Sequence, residues 1–380
     1  MQRPRARILF LINSLETGGA ERQLALTVAN LDRDRFEPVV CTLFRGGPHA
    51  AEVEAAGVRT KELGLPKNLR GAIRGAHRAV AEVEPGLVHT AVFEANVAGR
   101  LAAGRAGVPV VSHATSLYES DLRYAESTAP AWKLRAARAV ERWSARRSRA
   151  EIVAVGRAVA ESARAYLRIP PERLTVIRRG FDFGALEAAA ERGPEAPAWP
   201  GHASPRLLAV GRLAPPKGFR FLIEALPSIR EHHPDVHLAV AGAGPLDQEL
   251  RALADRVGVG DAVTFLGVRH DVPALMRGAD VFVLPSLWEG AAGALVEATG
   301  LGVPVACSEL APLLEVTGFA AATFPVKDPS AIAREVLAVA ADLDAARARA
   351  AAAVHGVRDA HDIVRNTRAL ERLYDRVLGA

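Results

Sequence analysis

Short apolar runs rich in β-branched residues alternate with longer alanine-rich stretches, and the alternation occurs twice along the chain. In the first half the runs are RILFLIN (7–13), PVVCTLF (38–44), LVHTAV (87–92), PVVSHA (109–114), EIVAVG (151–156) and LTVIRR (174–179). In the second half they are RLLAVG (206–211), VHLAVAG (236–242), VTFLG (263–267), VFVLPS (281–286) and VPVACS (303–308). A strand that is apolar on both faces must be covered on both faces. The pattern therefore predicts parallel sheets flanked by helices rather than sandwiches or bundles. Two such sets predict an α/β protein of two Rossmann-like, doubly wound parallel-sheet domains facing a cleft. The segment AAAERGPEAPAWPGHASP (188–205) reads as the linker, because Pro, Gly and Ala concentrate there. The expected domains are 1–187 and 206–359, and the segment from about 360 to 380 reads as a long closing helix.

A length of 380 residues suits two domains. With 49% hydrophobic and 24% charged residues, the composition is that of a soluble globular protein. No apolar run approaches the roughly 20 residues that span a bilayer. The opening MQRPRARILFLIN has basic residues before an apolar run, but the run is too short for a secretory signal and reads as a first strand. The two cysteines, Cys41 and Cys307, each fall inside an apparent strand. They indicate neither a disulfide framework nor a metal cluster, so the expected setting is the reducing cytoplasm. Charge is uneven. Residues 1–190 hold 29 Lys/Arg against 20 Asp/Glu, and residues 191–380 hold 19 against 23. A basic first half suits an anionic surface or an acidic ligand, and a chain rich in Arg throughout would give the same sum.

Ligands bind doubly wound sheets beyond the carboxyl ends of the strands, so the loops that follow strands carry the chemistry. After strand 7–13, Gly18 and Gly19 open a helix and can bare its amides to an anion. A tight turn would use the same glycines. No G-x-G-x-x-G is present, so the loop is not a dinucleotide fingerprint. After strand 206–211, Arg212 and Lys217 bracket two prolines that stiffen the loop. A planar fork and a point charge together suit a diphosphate. After strand 236–242, Gly242 and Gly244 allow either close packing or ligand approach. After strand 281–286 comes WEGAAGALVEATG (288–300), where Glu289 and Glu297 stand eight apart in a stretch stripped of side chains. A helix starting near Ala292 or Gly293 would turn the amides of residues 293–295 toward the cleft, which suits phosphate. Carboxylates beside them suit the vicinal hydroxyls of a sugar and a ribose. His113 ends the strand PVVSH and meets the same strand-end rule.

GGAER (18–22), VGRLAPPKG (210–218), AGAGP (241–245), FLG (265–267) and PSLWEGAAGALVEATGLGVPV (285–305), in that order, resemble the retaining family 4 glycosyltransferases of GT-B fold. VAVGRAVAESARAYLRIPPERLTVIRRGFD (153–182) is similar to the strand–helix–strand that precedes the linker in that family. The E-x7-E spacing of Glu289 and Glu297 is the most specific part. The resemblance implies transfer of a sugar from a nucleoside-diphosphate sugar to an acceptor hydroxyl, with retention at the anomeric carbon. It implies no cofactor, no metal and no nucleic acid. Glu289, His113, Arg212 and Lys217 would form the catalytic set. Gly18, Gly19, Gly242, Gly244, Gly293, Ala294 and Glu297, with Arg212 and Lys217, would bind the donor. Asn96 and Arg22 are the acceptor-binding candidates, and the closing helix would cross back to the first domain. The chain departs from the family in having Arg179 where Asn often precedes the glycine, and Ala291 and Ala292 where a bulky residue often follows the first Glu-Gly.

Two other functions fit the same fold: a nucleotide-sugar epimerase and a non-catalytic sugar-nucleotide-binding subunit. Finally, WKLRAARAVERWSARRSRAE (132–151) carries seven Lys/Arg with Trp132 and Trp143. Such a helix can lie on the anionic inner face of a membrane. A solvated helix whose long stems cover the sheet has the same composition.

Overall fold

The computed structural model describes residues 5–118, 130–318 and 320–379. It divides into two compact units. The first combines residues up to 118 with 130–181 and 361–379, and the second is 182–360 apart from Phe319.

In the first unit the strands are β1 (Ala6–Ser14), β2 (Phe36–Arg45), β3 (Arg59–Glu62), β4 (Leu87–Ala91), β5 (Val110–Ala114), β6 (Glu151–Ala154) and β7 (Leu174–Val176). They form one parallel sheet in the order β3-β2-β1-β4-β5-β6-β7. In the second unit β8 (Arg206–Val210), β9 (His237–Ala241), β10 (Val263–Gly267), β11 (Val281–Leu284), β12 (Val305–Ser308) and β13 (Ala322–Phe324) form a parallel sheet in the order β10-β9-β8-β11-β12-β13. Every residue of β4, β9 and β11 is buried, as strands covered on both faces must be, and in β4 this includes His89 and Thr90. The first core gathers Ile8, Phe10, Ile12, Leu24, Val28 and Val40 with Leu370, Leu373 and Tyr374 of the helix Ile363–Leu378. The second gathers Leu207, Leu222, Ile223, Leu238, Val240 and Val283 with Ile332 and Val336.

The two sheets share one topology. Strand order runs outward in one direction, then reverses between β1 and β4, and again between β8 and β11. At such a reversal the two connections leave on opposite faces, and their loops part to leave a crevice. The loops after β1, β4, β8 and β11 flank these two reversals.

The domain boundary differs from the sequence expectation. The helix Phe183–Glu191 belongs to the second unit, not to a first domain ending at 187. The Phe183 ring fills the space beside Gly300, where any side chain would collide with it. Arg358 pairs with Glu187 at 2.6 Å and holds the same helix. Residues 188–205 are not a free linker either. The Glu195 amide donates to Asp271 at 2.7 Å, and Arg269 donates to the Ala196 carbonyl. The Trp199 indole donates to the Leu207 carbonyl at 2.9 Å. Proline and glycine here shape a strap that is hydrogen-bonded to the second unit.

Candidate active site

In the second unit the loop after β8 is held by its neighbours on both sides. Gly211 and Leu213 donate to the carbonyls of Ala241 and Ala243, and Leu246 donates back to Leu213. Leu287, after β11, donates to Pro216 at 2.8 Å. Glycine makes these approaches possible. Gly218 sits at φ 62, where a Cβ would strike the Pro285 carbonyl oxygen; at Gly242, φ 142, it would strike that of Gly211. Gly244 has the Leu213 carbonyl in the same position. Gly242 and Gly244, expected at the donor, thus spend their bareness on backbone packing that shapes the Arg212–Lys217 loop.

That loop delivers Lys217 to Glu289. The ammonium and carboxylate lie 2.5 Å apart, and the Ser286 hydroxyl donates to the same Oε1 at 2.9 Å. Glu289 is nearly enclosed, with 11% of its side chain exposed against 23% for Lys217. Arg212, five residues earlier, is exposed and makes no side-chain hydrogen bond or ion pair among the described residues. The site therefore presents one cation paired with a carboxylate and one cation open to a ligand. Beyond Glu289 the helix Gly293–Gly300 begins. The Leu295 amide already donates to Ala292 at 3.0 Å, so the expected run of free amides at 293–295 shortens to Gly293 and Ala294. Glu297 is buried at 5% exposure within this helix.

In the first unit Gly18 and Gly19 open the helix Gly19–Asn30. The space a Cβ would take is filled by the Glu21 carboxylate at Gly18 and by the Arg179 guanidinium at Gly19. Burial pushes the Glu21 carboxyl above its ordinary value. Arg22 is exposed, with its guanidinium 6.0 Å from the centre of the Phe181 ring.

His113 stands on β5 beside Ala91 of β4. Its Nε2 is enclosed without a hydrogen-bond partner, in a small pocket lined by Gln23, Thr27, Ala91, Thr115 and Arg179. Burial, then the nearby Arg179, hold its pKa down to about 4, so the ring is neutral at physiological pH. Asn96 corrects an expectation. It is 2% exposed, accepts from the Thr90 hydroxyl at 2.8 Å and donates to the His113 carbonyl at 3.0 Å. Its amide is consumed inside the fold, so it fixes the His113 backbone and does not face an acceptor. The side chains at the β1–β4 crevice are instead Asn13 and Glu94, joined at 2.7 Å. Val92, just before Glu94, takes φ 67, a region β-branched residues avoid. Such strain persists only where surrounding contacts enforce it. None of this is visible in sequence, because Asn13 and Glu94 are 81 residues apart and become neighbours only through the β1–β4 pairing.

Known proteins match this arrangement along most of the chain. A family model described as Glycosyltransferase Family 4 matches residues 17–184, and one described as Glycosyl transferases group 1 matches residues 204–342. The chain belongs to the family 4 glycosyltransferases. Among relatives, EpsF of Bacillus subtilis (strain 168), named as a glycosyltransferase, is 28% identical over 81% of this chain and 80% of its own length. A UDP-Gal:alpha-D-GlcNAc-diphosphoundecaprenol alpha-1,3-galactosyltransferase of Escherichia coli is 28% identical over 66% of this chain, which spans 64% of that relative. The crystal structure of Anabaena Alr3699/HepE in complex with UDP-glucose superposes with a TM-score of 0.80. It covers 98% of this chain and all of its own at 22% identity, a likeness of fold. The glycosyltransferase therefore has the GT-B fold.

Three neutral histidines give the first unit of this glycosyltransferase a pH dependence. Burial lowers His113 and His361 to about 4, and His89 well below its ordinary value. Unfolded histidine titrates near 6.5, so below that pH the unfolded chain binds the extra protons. Stability is expected to hold above about pH 6.5 and to fall as the pH drops toward 4, by up to about 1.4 kcal/mol per pH unit for each ring. Urea midpoints at pH 7 and pH 5 check this, and His113→Gln should flatten the decline. A parent profile that does not fall over this range contradicts it.

Proposed function

We propose that this glycosyltransferase moves a sugar from a nucleoside-diphosphate sugar to an acceptor hydroxyl with retention of anomeric configuration. The observation that carries the reading is the Lys217–Glu289–Ser286 cluster with Arg212 open beside it, at the strand reversal of the second sheet. The chemical problem is negative charge growing on the departing diphosphate. Arg212, Lys217 and the amides of Gly293 and Ala294 are the groups that stabilise it, because fixed dipoles and cations need no reorganisation as charge develops. Glu289 takes donor-sugar hydroxyls and Glu297 takes the ribose. Attack occurs on the face the diphosphate leaves, with no protein nucleophile required. The family match supports the reaction class, and the UDP-glucose named for the HepE complex supports the donor class.

The test is a panel of nucleoside-diphosphate sugars read first by thermal stabilisation. A donor at about 100 times its Kd should add roughly 2.7 kcal/mol of apparent stability. The best donor is then turned over, and the product anomer is assigned by NMR. An inverted anomer would refute retention, and epimerised donor in place of transfer would refute the reaction itself.

The acceptor is proposed to be presented at the cytoplasmic membrane face, as a lipid-linked sugar. The diphosphoundecaprenol named for the Escherichia coli relative supports this class. So does the helix Ala131–Arg147, on which Trp132 and Trp143 are 65% and 55% exposed. Eleven residues apart, they fall on one helical face, with Arg135, Arg146 and Arg147 exposed beside it. Indole rings flanked by guanidinium groups suit an anionic headgroup layer. No helix of the described residues is long and apolar enough to cross a membrane. The protein is expected to sediment with vesicles rich in anionic lipid and to remain in solution with neutral ones. Trp132→Ala with Trp143→Ala should weaken sedimentation at least several-fold, and equal sedimentation with both vesicle types would remove the contact.

A further inference from the structure

The ring of His113 is held from behind by a second histidine that nothing in the sequence singles out. His89 lies on β4 with its ring centre 4.6 Å from that of His113. On its other side Phe10 stacks at 4.7 Å. Its Nδ1 is 2.5 Å from the Tyr374 hydroxyl. Tyr374 is fully buried on the helix Ile363–Leu378 and packs edge-on against Phe36. One turn earlier Glu371 accepts from the Asp32 amide at 2.8 Å and pairs with Arg35 and Arg368, which fixes that helix to the unit. Asn96 holds the His113 backbone from another direction. So every side chain that orients His113 is itself anchored, while Nε2 faces the pocket unpartnered.

We propose that Tyr374 and His89 are positioning residues for His113: the Tyr374 hydroxyl fixes the His89 ring, and that ring sets the orientation with which His113 meets its substrate. This rests on the place of His113 in the catalytic set that the family resemblance implies. The physical case is one of stacking and enclosure. A buried imidazole with a single hydrogen-bond anchor has one defined orientation, and loss of the anchor leaves it to rotate. His113 has no side-chain anchor of its own among the described residues, so it inherits its order from the ring it packs on. The charged and titratable groups around the pair are Arg179 beside His113, and Tyr374 with Glu371 behind His89.

Tyr374→Phe removes the hydroxyl and keeps the ring. In histidine-15N-labelled protein, the His113 signals are assigned by their loss in His113→Ala. In the parent they should show one set of sharp ring signals and a titration midpoint far below the ordinary range. In Tyr374→Phe they should broaden through exchange between ring orientations, with a midpoint moved up by about one pH unit or more, as the freed ring reaches solvent. With UDP-glucose as the donor probe, kcat for sugar release should fall roughly 10- to 100-fold with KM little changed. The fall should be absent in the His113→Ala background, because contacting residues are not additive. His113 signals unmoved by Tyr374→Phe, or an equal kcat loss in both backgrounds, would overturn the relay. An NMR response without UDP-glucose turnover supports the relay and counts against the donor reading. Should Tyr374→Phe not fold, His89→Gln takes its place with the same readouts.

Discussion

Lys217→Ala is expected to lower nucleotide-sugar turnover by roughly 10²- to 10³-fold, the effect of removing one preorganised group from a developing oxyanion. The same change should weaken the second unit. Glu289 is nearly enclosed and keeps only the Ser286 hydroxyl once the ammonium at 2.5 Å is gone. An enclosed carboxylate stripped of its partner costs about 1–3 kcal/mol. Lys217→Arg should not restore activity, since a planar fork cannot occupy the place of a compact ammonium between a glutamate and a diphosphate. Arg212→Ala is the contrasting case. Its side chain is exposed and has no partner among the described residues, so stability should change by less than about 0.5 kcal/mol while donor affinity falls. Steady-state kinetics with urea denaturation separate the two cations. Retention of turnover within threefold in Lys217→Ala would exclude it from the diphosphate site.

Gly242→Ala is expected to destabilise the second unit by roughly 2–5 kcal/mol, from strain in the backbone and overpacking together. At φ 142 an alanine is strained, and its methyl would overlap the Gly211 carbonyl oxygen. Backbone against backbone has no soft side chain to give way. The loops after β8 and β9 must separate, breaking the ladder that joins Leu213 to Ala243 and Leu246. The melting temperature of this unit should drop by about 5–15 °C. Gly258→Ala is the control, because Gly258 also has positive φ, 77, but faces open space. Its cost should be about 1–2 kcal/mol, the backbone strain alone. Equal losses in the two variants would show that contact between the loops contributes nothing.

The parallel sheets were legible because runs such as Leu238–Ala241 of β9 and the whole of β11 are continuously apolar, and only a doubly covered sheet accepts such strands. Two of the edge strands, β3 and β13, were not. β3 is Arg-Thr-Lys-Glu, largely exposed, and β13 is three residues long. An edge strand has one neighbour and can be short or little buried, so these two carry no apolar run long enough to read. At the site, Arg212, Lys217 and Glu289 stood out in sequence as charged groups beside bare backbone, and the structure brings Lys217 and Glu289 together. The glycines at 242 and 244 looked the same in sequence whether a ligand or another loop comes near, and here it is the loop. Asn96 was misplaced for a related reason: an amide after a strand can face solvent or close an internal network, and only the Thr90 and His113 positions decide. Tyr374 reads as one more apolar position of an amphipathic helix. Its partner His89 is 285 residues away, and no local pattern joins them.

The order in which the chain is made adds a consequence. Among the described residues, the second unit lies between residues 181 and 361 of the first. On the ribosome, β1 to β7 emerge long before the helix Ile363–Leu378, and until then Phe10, Phe36 and His89 lack the Tyr374 that covers them. The second unit has all its strands by Phe324 and its last helix by Ala360, so it can finish folding while the first still waits with an apolar face uncovered. Ribosome-stalled chains ending at 360 should therefore show a protease-resistant second unit beside a first unit that is still cleavable and bound by chaperones, whereas equal resistance in both would mean that the late helix is dispensable for folding.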